Sequence, residues 1–368
     1  MNNFTLMHIE WSDGWGGQEI RIVSESKALR EMGVNIIIVA RKDSKIYQNA
    51  IDNNFHVLPL KMTKGLNLIS IIRLAKFIKK NNVDIIHTHS SVDSRIGGIA
   101  AKFSGIKVVR SRHISIPVSK SYLTRFQYVH LADKVITSGI AIKKTLVKVN
   151  NMPNEHIISI PAGVNPEIFS YKSIPEFDVR KKHGISEKKF LVLMVSVLRS
   201  WKGHNYVIES FKQNKELRKN FHLLILGDGP KREEIENLIK LNNLNEYVSL
   251  IGHQKDTVSY YHGCDVVILP SYAGEATSQT LPQAMLMKKA VITTNIGGLP
   301  EVISNGVNGI MIPPRDPDSI FKALQKYQQD TDFKNRMVEE AYLKAKKFFT
   351  FDKMILDTLN VYKDLLKL

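Results

Sequence analysis

The 368-residue chain has a single cysteine, Cys264. It can therefore build neither a disulfide framework nor a cysteine-based zinc site, and a reducing compartment is its expected home. It also lacks an apolar run of about 18 residues that could span a bilayer, and its N-terminus does not combine a basic start, an apolar run and a small-residue cleavage site. A cytoplasmic location follows as the expectation. No repeat of solenoid period and no low-complexity segment is present. Acid is in short supply too: 35 Asp+Glu stand against 52 Lys+Arg, a formal charge of +17. Residues 1–170 hold 23 basic against 12 acidic side chains (net +11), and residues 171–368 hold 29 against 23 (net +6). Such an imbalance suits a phosphorylated substrate, an anionic lipid surface or nucleic acid, while solvated lysine-rich helix faces account for it equally well.

With 43% hydrophobic residues the chain can bury two cores. Short apolar, β-branched runs alternate with helix-patterned segments, as parallel βαβ units do. A first series of strands is expected at Thr5–Ile9, Asn35–Ala40, Ile85–Thr88, Lys107–Arg110, Lys134–Thr137 and Ile157–Ile160. A second is expected at Phe190–Val195, Phe221–Leu226, Val248–Ile251, Val266–Leu269, Ala290–Thr294 and Gly309–Ile312. Pro161–Pro175, with three prolines and a glycine, reads as a linker. The division is a first α/β domain over 1–165, a linker over 166–175, a second α/β domain over 176–350 and a helix over 351–368 that returns to the first domain. A helix is also expected over Leu66–Asn82, carrying Arg73, Lys76, Lys79 and Lys80. It reads either as a membrane-surface helix or as one packed on its sheet.

Three loops carry candidate chemistry. Asp13-Gly14-Trp15-Gly16-Gly17-Gln18 follows the first strand and precedes a helix, where adjacent glycines let a phosphate approach backbone N–H groups. Its spacing differs from the G-x-G-x-x-G dinucleotide fingerprint, and a plain tight turn explains it as well. Arg199-Ser200-Trp201-Lys202-Gly203 follows the first strand of the second domain. Two cations three residues apart at a strand's carboxyl end can grip a diphosphate whose charge grows as it leaves. Ser271 to Met285 places Glu275 in a small-residue loop before a helix. Glu275 can bond sugar hydroxyls, or merely stabilise the helix dipole.

At these residues the chain resembles glycosyltransferase family 4, retaining enzymes of the GT-B fold. The likeness runs over nearly the whole length: Gly16-Gly17 matches the N-terminal glycine loop, Gly227-Asp228-Gly229-Pro230 the G-D-G-P turn, Ile160 to Asn165 the segment closing the first domain, Gly297-Gly298-Leu299-Pro300-Glu301 the G-G-x-P-E turn, and Glu275 to Gln283 the E-x7-E motif. The resemblance implies two Rossmann-like domains facing a central cleft, with the C-terminal helix packed on the first. It implies a nucleotide-diphosphate sugar donor (UDP-, GDP- or ADP-linked) and no metal or other cofactor. Arg199 and Lys202 would hold the diphosphate, Glu275 the transferred sugar, and the backbone of Ala276, Thr277, Ser278, Gln279 and Thr280 a phosphate. Gly16, Gly17, Gly227, Gly252, His253 and Gln283 would complete the donor site, and His113 would lie beside the reacting sugar.

Asp13, His87, His89, Arg110 and Arg112 are candidates for the acceptor side, where a lipid-linked or lipopolysaccharide-type surface glycan is expected, with peripheral association at an anionic inner membrane face. Two departures stand out. Gln283 replaces the second motif glutamate, keeping a hydrogen-bonding tip without the charge. Val197 stands where the family has an arginine five residues before the lysine, so Arg199 inherits that duty. A metal-dependent GT-A site at Asp316-Pro317-Asp318 reads better as a helix cap. A sugar-nucleotide 2-epimerase shares fold and donor. A nucleic-acid-binding protein is permitted by charge alone, without any recognised nucleic-acid module.

Overall fold

The structure is a computed structural model describing residues 3–65, 67–113 and 118–368. The chain divides into two compact units: residues 1–162 with 354–368, and residues 163–353. Each is built on one parallel sheet, because apolar β-branched strands buried on both faces need helical crossovers between them.

In the first unit the strands are β1 (Thr5–Glu10), β2 (Asn35–Ala40), β3 (His56–Pro59), β4 (Ile85–Thr88), β5 (Lys107–Arg112), β6 (Lys134–Thr137) and β7 (Ile157–Ser159). Their order is β3-β2-β1-β4-β5-β6-β7. The order reverses between β1 and β4, where His8 is directly opposite His87. β3 is absent from the sequence reading: its His-Val-Leu-Pro run is short, ends in proline and lies at the sheet edge, the place where proline is tolerated.

The second unit contains β8 (Phe190–Val195), β9 (Phe221–Leu226), β10 (Val248–Gly252), β11 (Val266–Leu269), β12 (Ala290–Thr294) and β13 (Ile310–Ile312), in the order β10-β9-β8-β11-β12-β13. Its reversal lies between β8 and β11, whose registered pairs are Val192 with Val266 and Leu193 with Val267. Alternate residues of these strands feed two cores. Leu191 and Leu193 pack with Tyr261 and Met285 on one face, Val192 and Met194 with Phe211 and Leu324 on the other.

The expected linker is less independent than its prolines suggest. Residues 163–175 belong to the second unit. There Phe169 meets Tyr261 edge-on at 5.8 Å, and Ser173 Oγ lies 3.0 Å from His262 Nε2. Asp316 caps the helix Pro317–Gln329 by accepting from Ser319 N at 3.0 Å, so the Asp-x-Asp pair is a helix start. The helix Leu68–Lys80 packs through Ser70, Ile71, Leu74 and Ile78; Leu66, where it was expected to begin, lies outside the described residues.

The last helix, Phe351–Leu366, buries Met354, Ile355, Leu359 and Tyr362. Within the first unit, the buried Tyr362 hydroxyl donates to Glu25 Oε1 at 3.0 Å and lies 2.6 Å from His87 Nδ1. Burial raises the Glu25 carboxyl above its ordinary range. Tyr362→Phe removes the hydroxyl while leaving both partners buried, at an expected cost of about 1–3 kcal/mol. Hydrogen exchange across residues 351–366 should accelerate accordingly, and unchanged protection there would refute this anchoring role.

Candidate active site

In an open parallel sheet, the loops leaving the two strands at the order reversal diverge and leave a crevice at the strand carboxyl ends. In the second unit those are the loops after β8 and β11, and they carry Lys202 and Glu275. Lys202 Nζ is 2.6 Å from Glu275 Oε1, and both side chains are largely removed from solvent. Ser271 Oγ donates to the same carboxylate oxygen at 2.5 Å. The sequence reading gave lysine and glutamate separate tasks; the fold couples them. Ser271 was missed, because a serine at a strand end has no motif to mark it.

Glycines make this close approach feasible. Gly203 has φ +83, and a Cβ there would stand 2.2 Å from Pro270 O. Gly227 has φ +136, and its Cβ would stand 1.9 Å from Ser196 O. Between them, Leu198 N donates to Asp228 O and Lys231 N to Leu198 O, both at 3.0 Å. The G-D-G-P turn thus clamps the loop that bears Arg199. The G-G-x-P-E turn does the same for Glu275: Gly298 N donates to Glu275 O at 3.2 Å, and a Cβ on Gly297 would come within 2.1 Å of that oxygen.

Arg199 lies over the Trp201 ring at 5.1 Å, while Trp201 O accepts from Tyr272 N at 2.9 Å. The helix after the Glu275 loop, Thr280–Leu286, starts later than expected, so Ala276, Thr277, Ser278 and Gln279 form loop rather than helix. Thr280 Oγ1 donates to Val195 O at 3.1 Å and Gln279 Nε2 to Gly163 O at 3.1 Å. Gln283 Oε1 accepts from the buried Tyr261 hydroxyl at 3.0 Å. Burial raises the Tyr261 pKa and keeps the phenol a donor, which orients the Gln283 amide. Gly252 O accepts from Gly227 N at 2.9 Å, and His253 is exposed just beyond β10.

In the first unit, β1 delivers Glu10 to the base of the glycine loop. Its carboxylate accepts from Ser12 N at 2.8 Å and from Gln18 Nε2. Burial first, and then the charge of Asp93, raise the Glu10 carboxyl above its ordinary range. Gly16 N donates to Glu19 Oε2 at 2.9 Å; a Cβ on Gly17 would meet nothing within 4 Å, leaving that face of the loop open. Asp13 is exposed, with Arg41 Nη1 3.7 Å from its carboxylate.

Four histidines gather at the carboxyl ends of β1, β4 and β5. His8 Nδ1 is 3.0 Å from His89 Nε2, and His89 Nδ1 is 3.4 Å from His113 Nε2. Burial lowers the pKa of all four, to about 3 for His8 and about 3 for His113, so they are neutral at physiological pH. The ligand atoms of His8, His87 and His89 lie within 4.8 Å of one another, the spacing of a metal set. Yet both His87 nitrogens already face hydroxyls, Tyr362 at 2.6 Å and Ser111 at 2.7 Å. A hydrogen-bonded cluster describes these residues better than a ligand set.

His87 and His89, expected on the acceptor side, are therefore interior groups, with His89 supporting His113. Arg110 also departs from its expected place at the acceptor rim. It is buried, its guanidinium stacks 3.6 Å from the Tyr128 ring centroid, and Nη1 donates to Gln127 Oε1 at 3.3 Å. It lies within β5 between buried neighbours, whereas Arg112, on the same face two residues on at the strand's end, stays half-buried. His8, Glu10 and Tyr261 were not singled out from the sequence; their neighbours in adjacent strands and loops give them their part.

Comparison with known proteins bears on the family and the fold. The description "Glycosyltransferase Family 4" matches residues 15–168, and "Glycosyl transferases group 1" matches residues 176–344. An Escherichia coli UDP-Gal:alpha-D-GlcNAc-diphosphoundecaprenol alpha-1,3-galactosyltransferase is 30% identical over 71% of this chain and 70% of its own. A glycosyltransferase crystal structure from Rickettsia africae superposes with a TM-score of 0.89 at 24% identity, covering 100% of both chains. Anabaena HepE in complex with UDP gives 0.83 at 19% identity over 98% of this chain and 100% of its own. The two parallel sheets are those of the GT-B fold, and the chain is a glycosyltransferase that belongs to family 4.

Proposed function

We propose that this enzyme transfers a sugar, with retention at the anomeric carbon and without a metal ion, from a nucleoside-diphosphate donor to a lipid-linked or surface-glycan acceptor. The observation that carries the donor half is the Lys202–Glu275 pair in the crevice of the second sheet. A lysine ammonium has three donors, so Lys202 can keep Glu275 and still reach a phosphate oxygen. Arg199, exposed and lying over the Trp201 ring, supplies the second cation. Together they offset the charge that grows on the departing diphosphate, the task a bound cation performs elsewhere. Glu275, fixed by Lys202, Ser271 and the double-glycine turn, is then preorganised to accept from sugar hydroxyls.

The donor of the Escherichia coli relative is UDP-galactose and HepE binds UDP, which favours a uridine nucleotide here. The same relative's diphosphoundecaprenol acceptor supports a lipid-linked acceptor for this chain, at an anionic membrane face. Retention by two carboxylates would need a second acidic nucleophile. Glu275 is committed to its neighbours and Asp13 is exposed beside Arg41, so neither serves. The acceptor hydroxyl would attack from the leaving-group side and give its proton to the departing diphosphate oxygen. His113, a neutral imidazole, orients a substrate group and takes no proton in this scheme.

Lys202→Met and Glu275→Gln should each cost about 2–4 kcal/mol in kcat/KM, the range for losing one preorganised group. The double variant should lose clearly less than the sum, because each group positions the other; additive losses would separate their roles. Transfer should survive chelator unchanged, and loss restored by manganese would overturn the metal-free assignment.

The pH profile gives a third check. The folded-state pKa of His113 is lowered to about 3, so the folded enzyme keeps it neutral through the range in which a free imidazole protonates; the associated stability is complete above about 6.5 and declines as pH falls toward 3, because the unfolded chain takes up the proton first. Activity should therefore lack an acid limb near 6.5 that disappears in His113→Gln. Product NMR should show the donor's anomeric configuration in both wild type and variant; inversion would overturn the scheme.

A further inference from the structure

From Asn53 to Val83, 31 consecutive residues, the chain has no acidic side chain and six cations: Lys61, Lys64, Arg73, Lys76, Lys79 and Lys80. All six are exposed, and none has an acidic partner within 4 Å among the described residues. The helix Leu68–Lys80 occupies most of this stretch. At about 100° per residue its buried positions 70, 71, 74 and 78 fall on one side. Its opposite arc carries Leu68, Ile69 and Ile72, which are 60%, 81% and 55% exposed, followed by Arg73, Lys76, Lys79 and Lys80.

Three large apolar side chains in the first turn and a half, with no covering element among the described residues, are unusual exposed surface on a helix that already packs well. They also sit at a defined place. A crossover helix begins where its preceding strand ends, so Leu68, Ile69 and Ile72 lie at the carboxyl-end rim of the first sheet. Lys61 O accepts from Ser70 Oγ at 2.6 Å and from Asn67 Nδ2 at 3.1 Å, which ties the cationic approach segment to the helix start. Beside it opens a cavity of about 700 Å³ whose walls carry the cations Arg41, Lys42, Lys61 and Arg73 with the single acid Asp43, which pairs with Arg41 at 2.7 Å.

We propose that this arc, with Lys61 and Lys64 before it, is the surface by which the enzyme docks on an anionic phospholipid bilayer. The proposal deepens, and rests on, the reading of a lipid-linked acceptor. Leu68, Ile69 and Ile72 enter the headgroup–acyl boundary while the cations around them meet lipid phosphates, the division of labour of an interfacial amphipathic helix. Charge complementarity selects this occupant over a second copy of the chain, since two such faces would bring twelve unpaired cations together. Docking in this way turns the cationic cavity and the glycine loop, which share the rim, toward the acceptor's phosphate. It takes up the membrane-surface alternative that the sequence offered for this helix, while Arg110, a candidate for the acceptor side, is buried.

The test uses the full chain with phosphatidylcholine vesicles, with and without phosphatidylglycerol, at low salt. The wild type should sediment with the anionic vesicles and not with the neutral ones. Leu68→Ser/Ile69→Ser/Ile72→Ser and, separately, Lys64→Glu/Lys76→Glu should each lower vesicle partition by about tenfold or more. Thermal stabilisation by UDP, GDP or ADP, whichever acts on the wild type, should be retained in both variants and reports their folding. Equal binding to neutral and anionic vesicles, partition unchanged in both variants, or a vesicle-free dimer abolished by the triple serine variant would overturn the docking surface. If none of the three nucleotides stabilises the wild type while the vesicle results hold, the donor reading falls and the docking surface stands.

Discussion

The contact between Lys202 and Glu275 at 2.6 Å ties together the two loops that leave the second sheet where its strand order reverses. A lysine and a glutamate this far from water are costly to place unless geometry and further hydrogen bonds compensate. Ser271 Oγ supplies one such bond. The rest of the cost is met by holding the backbone: Gly203 lets the lysine's loop touch Pro270, Gly227 lets the neighbouring turn press on Ser196, and Gly297 with Gly298 fastens the glutamate's own carbonyl. Residues that look in sequence like separate motifs are thus the supports of one ion pair. The same pair is why the donor site is proposed here, since a carboxylate fixed by a cation can bind hydroxyls while the cation still faces a phosphate.

Sheet order determines where such a pair can form. In both units the parallel sheet reverses direction of growth beside its first strand, between β1 and β4 and between β8 and β11. Neighbouring loops part at those points, and both units place their most densely interacting polar groups there. In the second unit they are the charged Lys202 and Glu275. In the first they are the neutral histidines His8, His87 and His89, with Glu10 at the end of β1, and burial shifts each of them toward its uncharged form. A neutral polar cluster suits a site that must orient an uncharged hydroxyl, whereas a charged one suits a diphosphate.

Much of this was legible in the sequence. Twelve of the thirteen strands stand within two residues of their expected ends, because a fully buried parallel strand is a short apolar run with little ambiguity. β3 was hidden by its closing proline and edge position. Asp316 as a cap was readable from Pro317 and the helical pattern after it. Arg110 was not, since a strand-end arginine looks the same whether it points outward or stacks on Tyr128. Ser271, His8 and Tyr261 were hidden for a related reason: their roles depend on what an adjacent strand or loop places opposite them, as Gln283 is oriented by a tyrosine 22 residues away.

Gln283 illustrates how a departure from a family pattern acquires physical meaning only in the fold. A glutamate in its place could accept from the Tyr261 hydroxyl with one oxygen and from a ribose hydroxyl with the other. The amide also accepts from Tyr261 through Oε1, so its remaining end is Nε2, a donor. Burial holds Tyr261 protonated, which suits this orientation of the amide; with its ends exchanged, Nε2 would donate to the phenol oxygen and the phenol proton would turn to Thr280 O, 3.4 Å away. At this position the site has changed from an acceptor to a donor of hydrogen bonds while keeping its shape. A ribose hydroxyl meeting this position would adapt by accepting instead, so the substitution is compatible with the proposed nucleotide donor.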